Sequence, residues 1–159
     1  MSIEKVRAYL RSLGLEDRIM EFPQSSATVE LAAQALGCEP AKIAKTMSFL
    51  LGDEPILILT AGDARVDNHK FKETFHIKAK MIPWEQVETL VGHAPGGVCP
   101  FAVPENVRVY LDVSLKPFDI VYPAAGSSNS AIELTCDELA QYSASLGWID
   151  VCKGWQDEE

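Results

Sequence analysis

One lysine, Lys45, stands just inside a long apolar run, in the segment PAKIAKTMSFLL. A lysine at the entrance of a buried strand either extends its ammonium group to solvent or holds a specific partner. In the first case the residue is only structural. In the second case its cation would lie at a pocket wall, where it could bind a phosphate or a carbonyl oxygen.

A second candidate is the glycine loop, residues 93–101, with the sequence HAPGGVCPF. Gly96 and Gly97 leave backbone N–H groups unobstructed by side chains. Pro95 and Pro100 fix φ on either side, so the loop should be stiff. A stiff loop with exposed amides can orient a carbonyl group or stabilise developing negative charge. An ordinary turn explains the same residues equally well.

Covalent and metal-assisted chemistry have weaker support in the sequence. Cys99 would be a thiol nucleophile only if a neighbouring cation or helix N-terminus activated it, and otherwise it is a packed side chain. The sequence contains no Gly-x-Ser-x-Gly, no HExxH and no Walker loop. Its four cysteines and three histidines show no metal-ligand spacing. We therefore expect no covalent mechanism, no metal and no cofactor.

The composition indicates one globular domain. The chain has 159 residues, of which 47% are apolar, so we expect a single domain over residues 1–155 and a polar tail at 156–159. No signal peptide and no apolar stretch of about 18 residues occurs, which predicts a cytoplasmic protein without a membrane partner.

The net charge of −9 argues against broad nucleic-acid binding, and we expect no DNA partner. Residues 69–80 nevertheless form a basic segment, HKFKETFHIKAK, with four lysines against one acid. A positive surface in an acidic protein can dock phosphate locally, although a solvated face is the simpler interpretation. The candidate docking residues are Lys70, Lys72, Lys78 and Lys80.

These candidates must be positioned by interleaved helices and strands. Apolar periodicity and capping residues predict helices at 2–13, 28–36, 67–75 and 84–91, and a capping box at 135–138 begins a final helix. Predicted strands lie at 46–51, 55–60, 107–111, 119–122 and 130–134. The order lacks a strict βαβ rhythm. It predicts an α+β domain in which helices surround a mixed β-sheet.

Four segments, in this order, resemble the YbaK and prolyl-tRNA synthetase-associated editing domains. They are TVELAAQALGCEPAKIAKTMSFL, GGVCPF, VYLDVSL and AAGSSNSAIEL, and the resemblance covers about residues 20–142. It implies the fold of that family. It also implies a deacylase that acts in trans and hydrolyses the ester joining a wrong amino acid to the terminal adenosine of a tRNA.

The resemblance also implies roles for individual residues. Lys45 would hold the terminal nucleotide or the ester group, and Gly126 would line the same pocket. The G-x-x-x-P loop would bind the aminoacyl end through its backbone, and its residues here are Gly96, Gly97, Val98, Cys99 and Pro100. Members of the family generally lack a protein nucleophile, so water or a group on the substrate attacks the ester.

The partners implied are an aminoacylated tRNA, of the Cys-tRNA(Pro) or Ala-tRNA(Pro) type, and in addition an aminoacyl-tRNA synthetase. Cys99 and Ala102 differ from the serine and glycine common at these positions, which leaves the amino acid open. Two other functions also stay open. One is a catalytically silent module that binds an aminoacyl-nucleotide ligand, and the other is a Cys99-dependent thiol enzyme.

Overall fold

The computed structural model describes residues 2–155, so the predicted polar tail lies outside the described residues. Within them the chain forms five α-helices and ten strands. The helices are α1 (Ser2–Ser12), α2 (Val29–Leu36), α3 (Asn68–Phe75), α4 (Val87–Val91) and α5 (Cys136–Tyr142). The strands are β1 (Ile19–Glu21), β2 (Ile43–Leu51), β3 (Glu54–Ala61), β4 (Arg65–Val66), β5 (Arg108–Asp112), β6 (Ile120–Pro123), β7 (Ser130–Ile132), β8 (Leu134–Thr135), β9 (Trp148–Ile149) and β10 (Cys152–Lys153).

Six strands form a mixed sheet in the order β8-β6-β2-β3-β5-β9. The hairpin β2–β3 is antiparallel, whereas β2–β6, β3–β5 and β5–β9 are parallel. Two small antiparallel pairs, β1–β7 and β4–β10, lie apart from it. The predicted α+β fold with a mixed sheet is confirmed.

The central strand β3 is covered on both faces, because Ile56, Leu57, Ile58 and Leu59 are all fully buried. A strand buried on both sides reads as a continuous apolar run, as PILIL does here. This strand anchors β2 beside it over eight residue pairs. The position of Lys45 on β2 is therefore set by the most buried part of the sheet.

Side-chain caps fix the helices that border β2. The Thr28 hydroxyl accepts the Leu31 N–H at 3.1 Å, and Gly37 ends α2 with a φ of 71°. Asp67 accepts the Lys70 N–H at 3.2 Å and begins α3. The capping box predicted at Thr135 is present at the start of α5.

Some predicted elements differ from those observed. The strand predicted at 130–134 divides at Glu133 into β7 and β8, which pair with β1 and β6 in different sheets. The helix predicted at 84–91 begins as a 3₁₀ turn, Trp84–Gln86, and only α4 is α-helical. Strands β1, β4, β9 and β10 were not predicted, because two or three residues carry no periodic signal.

A gap in the strand pairing opens beside Lys45. Strand β2 pairs with β6 only at Ile43 and Ala44. Farther along, the Ile82 N–H donates to the Ser48 carbonyl at 3.2 Å, so another segment covers the edge there. Among the described residues, no strand pairs with this edge between Ala44 and Ser48. Lys45 and Thr46 lie in that gap.

Candidate functional site

A cavity of about 170 Å³, here called the cleft, occupies the place where β2 and β6 separate. Lys45 and Thr46 come from β2, while Gly96 and Val98 come from the glycine loop. The remaining walls are formed by α2, the segment before it, strands β6 and β7 and the connection between these strands, including Ser26, Ala27, Thr28, Val29, Ala32, Tyr122, Ala124, Ser130 and Ala131. Lys45 and the glycine loop therefore share one cleft.

Lys45 is half-buried, and burial lowers the pKa of its ammonium group below the usual lysine value. More distant negative groups, including Asp63 and Glu30, oppose this shift only in part. Within residues 2–155, no side-chain hydrogen bond contributes to the pKa of Lys45. A half-buried cation without a carboxylate in contact can still bind an anionic or carbonyl oxygen.

Thr46 is a site residue that the sequence analysis did not identify. Its hydroxyl oxygen is buried and, among the described residues, has no hydrogen-bond partner. Thr46 also lines the cleft beside Lys45. A buried polar group without a partner is destabilising, and the deficit disappears when a ligand or water supplies the missing bond. No pattern in the sequence distinguishes Thr46, because β-branched threonine is ordinary in a strand.

Glycine is favoured at the adjacent positions 96 and 97 for two different structural reasons. A β-carbon at Gly97 would lie 2.8 Å from the Cα of Ser127, so only glycine permits this close packing. The Gly97 N–H donates to the Ala94 carbonyl at 3.0 Å and is used inside the loop. Gly96 has a φ of 92°, which favours glycine. Within residues 2–155 no acceptor receives the N–H of Gly96 or Val98, so these amides are available to a ligand.

Cys99 lies behind the cleft wall and is fully buried. Its sulfur is 3.5 Å from His93 Nε2, but burial raises the pKa of the thiol to about 12. His93 Nε2 lies 2.7 Å from the Phe101 carbonyl, which requires its proton to be there. Burial also lowers the pKa of His93. The pair is neutral, and Cys99 has neither the exposure nor the base that a thiol nucleophile requires. The described geometry therefore gives no support to a Cys99-dependent enzyme.

Other residues of the loop and hairpin support the cleft from behind. Pro100 and Gly126 are buried, and neither belongs to the cleft lining. In this part of the chain the residues that line the cleft are Ala124, from the β6–β7 connection, and Ser130 and Ala131, from β7. The structure therefore brings together Lys45, Gly96 and Val98. It places Gly97, Cys99, Pro100 and Gly126 outside the lining.

A second cavity of about 270 Å³, here called the groove, also reaches Lys45. Its walls are mostly apolar, with Arg65 and Asn68 as further polar side chains. The apolar members are Met47, Phe49, Val66, Ala79 and Met81.

The four lysines of the basic segment differ in their contacts with the rest of the chain. The Lys70 ammonium donates to Asp150 at 3.1 Å and to the Cys152 carbonyl at 2.9 Å. Lys72, Lys78 and Lys80 are exposed and form no ion pair within residues 2–155. These three are freer than Lys70 to meet phosphate.

Residues 2–155 contain no group of three or more His, Cys, Asp or Glu side chains arranged to hold a metal ion. Over the same residues, no helix has the length and apolar character needed to cross a membrane.

Comparison with known proteins places these features in a family context. The model of the aminoacyl-tRNA editing domain matches residues 24–142. YwhH of Bacillus subtilis (strain 168), a protein described as uncharacterised, is 50% identical over 98% of this chain and 100% of its own length. The proline–tRNA ligase of Leuconostoc citreum (strain KM20) is 32% identical over 64% of this chain but only 18% of the ligase.

Solved structures share the fold. One belongs to a protein proposed to be a trans-editing enzyme for prolyl tRNA synthetase. It superimposes with a TM-score of 0.86 at 28% identity, over 96% of this chain and 98% of the other. The similarity therefore extends over nearly the whole of both chains.

Proposed function

The chain belongs to the aminoacyl-tRNA editing domain family, and on that basis we propose that it is a trans-acting aminoacyl-tRNA deacylase. The proposed substrate is a tRNA carrying a wrong small amino acid, of the Ala-tRNA(Pro) or Cys-tRNA(Pro) type. Support for the link to proline comes from the proline–tRNA ligase match and from the structural neighbour. The alignment with nearly the full length of that neighbour supports action in trans.

The observation that carries the proposal is the position of Lys45. Its unneutralised ammonium group shares a cleft with Gly96 and Val98, whose N–H groups are available. Two kinds of donor, one cationic and one from the backbone, thus border a space of about 170 Å³. Such a set of fixed donors suits an ester whose carbonyl oxygen gains negative charge during hydrolysis.

In the proposed reaction, water attacks the ester carbonyl carbon. The bond from that carbon to the ribose oxygen breaks, the ribose oxygen takes a proton, and the amino acid leaves. Lys45 stabilises the developing oxyanion or holds the neighbouring phosphate, while the loop backbone positions the aminoacyl end. An ester is already activated, so no protein nucleophile is needed, which agrees with the buried, neutral Cys99.

The amino acid removed is proposed to be small, and the cleft offers it both apolar and polar contacts. Ala32, Ala131 and Val98 are apolar lining residues, and the Thr46 hydroxyl lacks a partner among the described residues. A synthetase pocket discriminates one methylene by only about 1–3 kcal/mol, so small amino acids are charged in error and need later removal.

We further propose that Lys72, Lys78 and Lys80 contact the tRNA backbone, with Lys70 contributing less because it is paired with Asp150. A chain of net charge −9 should bind tRNA only moderately. A synthetase that retains the mischarged tRNA would then assist. Replacing the three exposed lysines by alanine should flatten the salt dependence of turnover, whereas an unchanged salt slope would remove them from the docking surface.

A panel of aminoacylated tRNAs tests the proposal. Alanyl-, cysteinyl-, seryl- and prolyl-tRNA(Pro) are incubated with the wild type, Lys45→Ala and Cys99→Ala, and loss of the ester is followed. We expect rapid loss for alanyl- or cysteinyl-tRNA(Pro), little for prolyl-tRNA(Pro), abolition in Lys45→Ala and retention in Cys99→Ala. Tight binding without ester loss on every substrate would contradict the proposal and identify a binding module.

A further inference from the structure

His93 is a buried titratable residue that the proposed mechanism does not use. Helix α4 ends at Gly92, whose φ is 84°, and His93 begins the glycine loop as a fully buried side chain. Its ring turns back on the loop, because Nε2 lies 2.7 Å from the carbonyl oxygen of Phe101. One hydrogen bond thus joins the first residue of the loop to the last.

Helix α1 supports both ends of the glycine loop. The Lys5 ammonium donates to the carbonyl of Gly92, directly before the loop, at 3.3 Å. At the other end Phe101 is fully buried, and its ring centroid lies 6.4 Å from that of Tyr9 in a stacked arrangement. The imidazole of His93 therefore joins two ends that already rest on the same helix.

The residues between these ends carry the amides that border the cleft. Gly96 and Val98 line the cleft, and within residues 2–155 no acceptor receives their N–H groups. Gly97 between them packs against Ser127 with no room for a β-carbon. A chain held at both ends and in the middle has few conformations, so its amides keep their direction. Without the bond from His93, one of these restraints is lost.

On the premise of the proposed deacylase, we propose that His93 is a positioning residue, whose neutral imidazole joins the ends of the glycine loop and so holds the Gly96 and Val98 amides at the cleft. His93 itself touches no substrate, since it is fully buried and does not belong to the cleft lining. It acts only through the backbone between the two residues that it joins.

Only the neutral ring suits this place. Nδ1 is buried and, among the described residues, has no hydrogen-bond partner. A second proton would have to be there, since Nε2 already donates to Phe101. The elements around the ring supply Lys5 and Tyr9 of α1 and, in the loop itself, Cys99, whose sulfur lies 3.5 Å from Nε2. None of these groups is negative near neutral pH, and the Lys5 ammonium opposes a second cation.

Protonation of His93 should therefore release the loop. Burial lowers the pKa of His93 below the usual histidine value of 6.5, and the bond to Phe101 opposes this shift only in part. The neutral form is the active one, so activity should be complete above this lowered pKa and should fall as the pH decreases through it. Deprotonation of Lys45 acts in the opposite direction, because it lowers activity as the pH rises.

The tautomer of His93 can be measured without any turnover. The ¹⁵N chemical shifts of the imidazole nitrogens show which nitrogen carries the proton, and the exposed rings of His69 and His76 serve as references in the same chain. We expect the proton of His93 on Nε2, in a single tautomer. A proton on Nδ1, or exchange between the two tautomers, would overturn the assignment.

The backbone amides report the positioning itself. In a pH titration followed by NMR, the amide signals of Gly96 and Val98 should change with the same midpoint as the His93 ring. The amide of Gly52, in the turn between β2 and β3, is the control and should not follow that midpoint. In His93→Gln the changes at Gly96 and Val98 should be absent over this pH range. Amides that ignore the His93 titration would contradict the proposed role.

Steady-state kinetics supply the second arm. His93→Phe keeps an aromatic ring but removes the donor to the Phe101 carbonyl, and kcat/KM should fall at least about tenfold because the amides are misplaced. His93→Gln supplies an amide N–H in place of Nε2–H, so kcat/KM should stay within about threefold of the wild type and the acid limb should be lost. Wild-type kcat/KM in His93→Phe, or an unchanged acid limb in His93→Gln, would overturn the proposal.

A matched control separates positioning from stability. Leu139→Ala removes a fully buried side chain of α5 that does not line the cleft, so it destabilises the fold without acting on the glycine loop. At a temperature where all variants remain folded, it should keep the kcat/KM and the acid limb of the wild type. A loss in Leu139→Ala equal to that in His93→Phe would reduce the effect of His93 to stability.

The proposed function and the role of His93 fail in distinguishable ways. If the chain is not a deacylase, ester loss is absent from every tRNA, while the Gly96 and Val98 amides still follow the His93 titration. If the role of His93 is wrong, ester loss still depends on Lys45, but His93→Phe retains it and the two amides do not follow the ring.

Discussion

The cleft and the groove meet at Lys45 but are built differently. The cleft is walled by backbone and small side chains, such as Gly96, Ala32 and Ala131. The groove is walled by long side chains, such as Met47 and Met81, which adapt easily to a ligand. Small residues on a strand, a helix and a loop held against Ser127 by Gly97 leave little freedom for the cleft to change shape.

This difference bears on which of the two cavities discriminates between amino acids. A stiff cleft disfavours an amino acid that is one methylene larger, because its walls cannot withdraw without cost. The account therefore predicts that changes in the cleft alter which ester is cleaved and how fast, and that changes confined to the groove leave the choice of amino acid unchanged.

Replacing Lys45, the residue that lines both cavities, should have the largest effect on the rate of deacylation. Lys45→Ala should lower kcat by at least about 10²–10³-fold, since it removes a donor to the developing charge. Lys42→Ala, three residues earlier and outside both linings, is the matched control and should retain activity. Single-turnover deacylation measures both. A kcat for Lys45→Ala near that of the wild type would exclude Lys45 from the chemistry.

The stiffness of the cleft is tested next. Gly97→Ala places a β-carbon 2.8 Å from Ser127 Cα, so the loop must move, and we expect a loss of about 1–3 kcal/mol in the free energy of unfolding and at least tenfold in kcat/KM. Gly52→Ala is the control for a β-carbon without a clash, because nothing lies within 4 Å of it, although its φ of 63° adds a backbone strain that Gly97 lacks. Denaturant unfolding and deacylation should separate the two variants. Equal activity in both would show that the loop packing is not needed.

Thr46→Val should affect activity and stability in opposite directions. Valine keeps the shape and removes a buried hydroxyl that has no partner within residues 2–155, so the free energy of unfolding should rise by up to about 1 kcal/mol. The substrate loses a partner at the same time, and kcat/KM should fall roughly fivefold to tenfold. Thr60→Val in β3, whose hydroxyl donates to the Ala61 carbonyl, is a buried control outside the cleft. Unchanged kcat/KM in Thr46→Val would remove Thr46 from the site.

Deprotonation of Lys45 at high pH should lower the deacylation rate gradually, and by less than the substitutions described above. Burial lowers the pKa of Lys45, and the protonated form is the active one, so activity should fall with rising pH before an ordinary lysine titrates near 10.5. Rates are corrected for spontaneous ester hydrolysis. Lys45→Arg, which stays charged, should lose this alkaline limb while keeping part of the activity. An identical limb in Lys45→Arg would assign the titration to another group.

Cys99 should have the least effect on catalysis. Cys99→Ala leaves a small void in the core and should cost about 1–2 kcal/mol of stability, with kcat within about twofold of the wild type. A thiol-directed reagent should react slowly with the native protein at position 99, because burial raises the thiol pKa to about 12. A large loss of kcat with normal folding would restore a chemical role for the thiol.

The sequence predicted the main elements because their signals are local. Thr28 and Gly37 mark the ends of α2, and the apolar run of β3 marks the central strand. The conjunction of Lys45 with the glycine loop was also predictable, since a lysine inside an apolar strand and a proline-bounded Gly-Gly are both unusual. The described structure places them on one cleft.

Other features depend on contacts distant in sequence and could not be predicted. Gly97 requires glycine because of Ser127, which lies thirty positions later, and the split between β7 and β8 depends on two different partner strands. The unsatisfied hydroxyl of Thr46 follows from the early end of the β2–β6 pairing at Ala44. Each of these is a property of the assembled sheet.

The central claim is that the ester of a mischarged tRNA is bound in the cleft at Lys45. A crystal structure with a stable analogue, alanine joined to the 3′ position of adenosine through an amide, tests it most directly. The account predicts the alanine methyl group in the cleft, against Ala32 and Val98, and the amide carbonyl within hydrogen-bonding distance of Lys45. An alanine methyl group outside the cleft, or an amide carbonyl remote from Lys45, would contradict it.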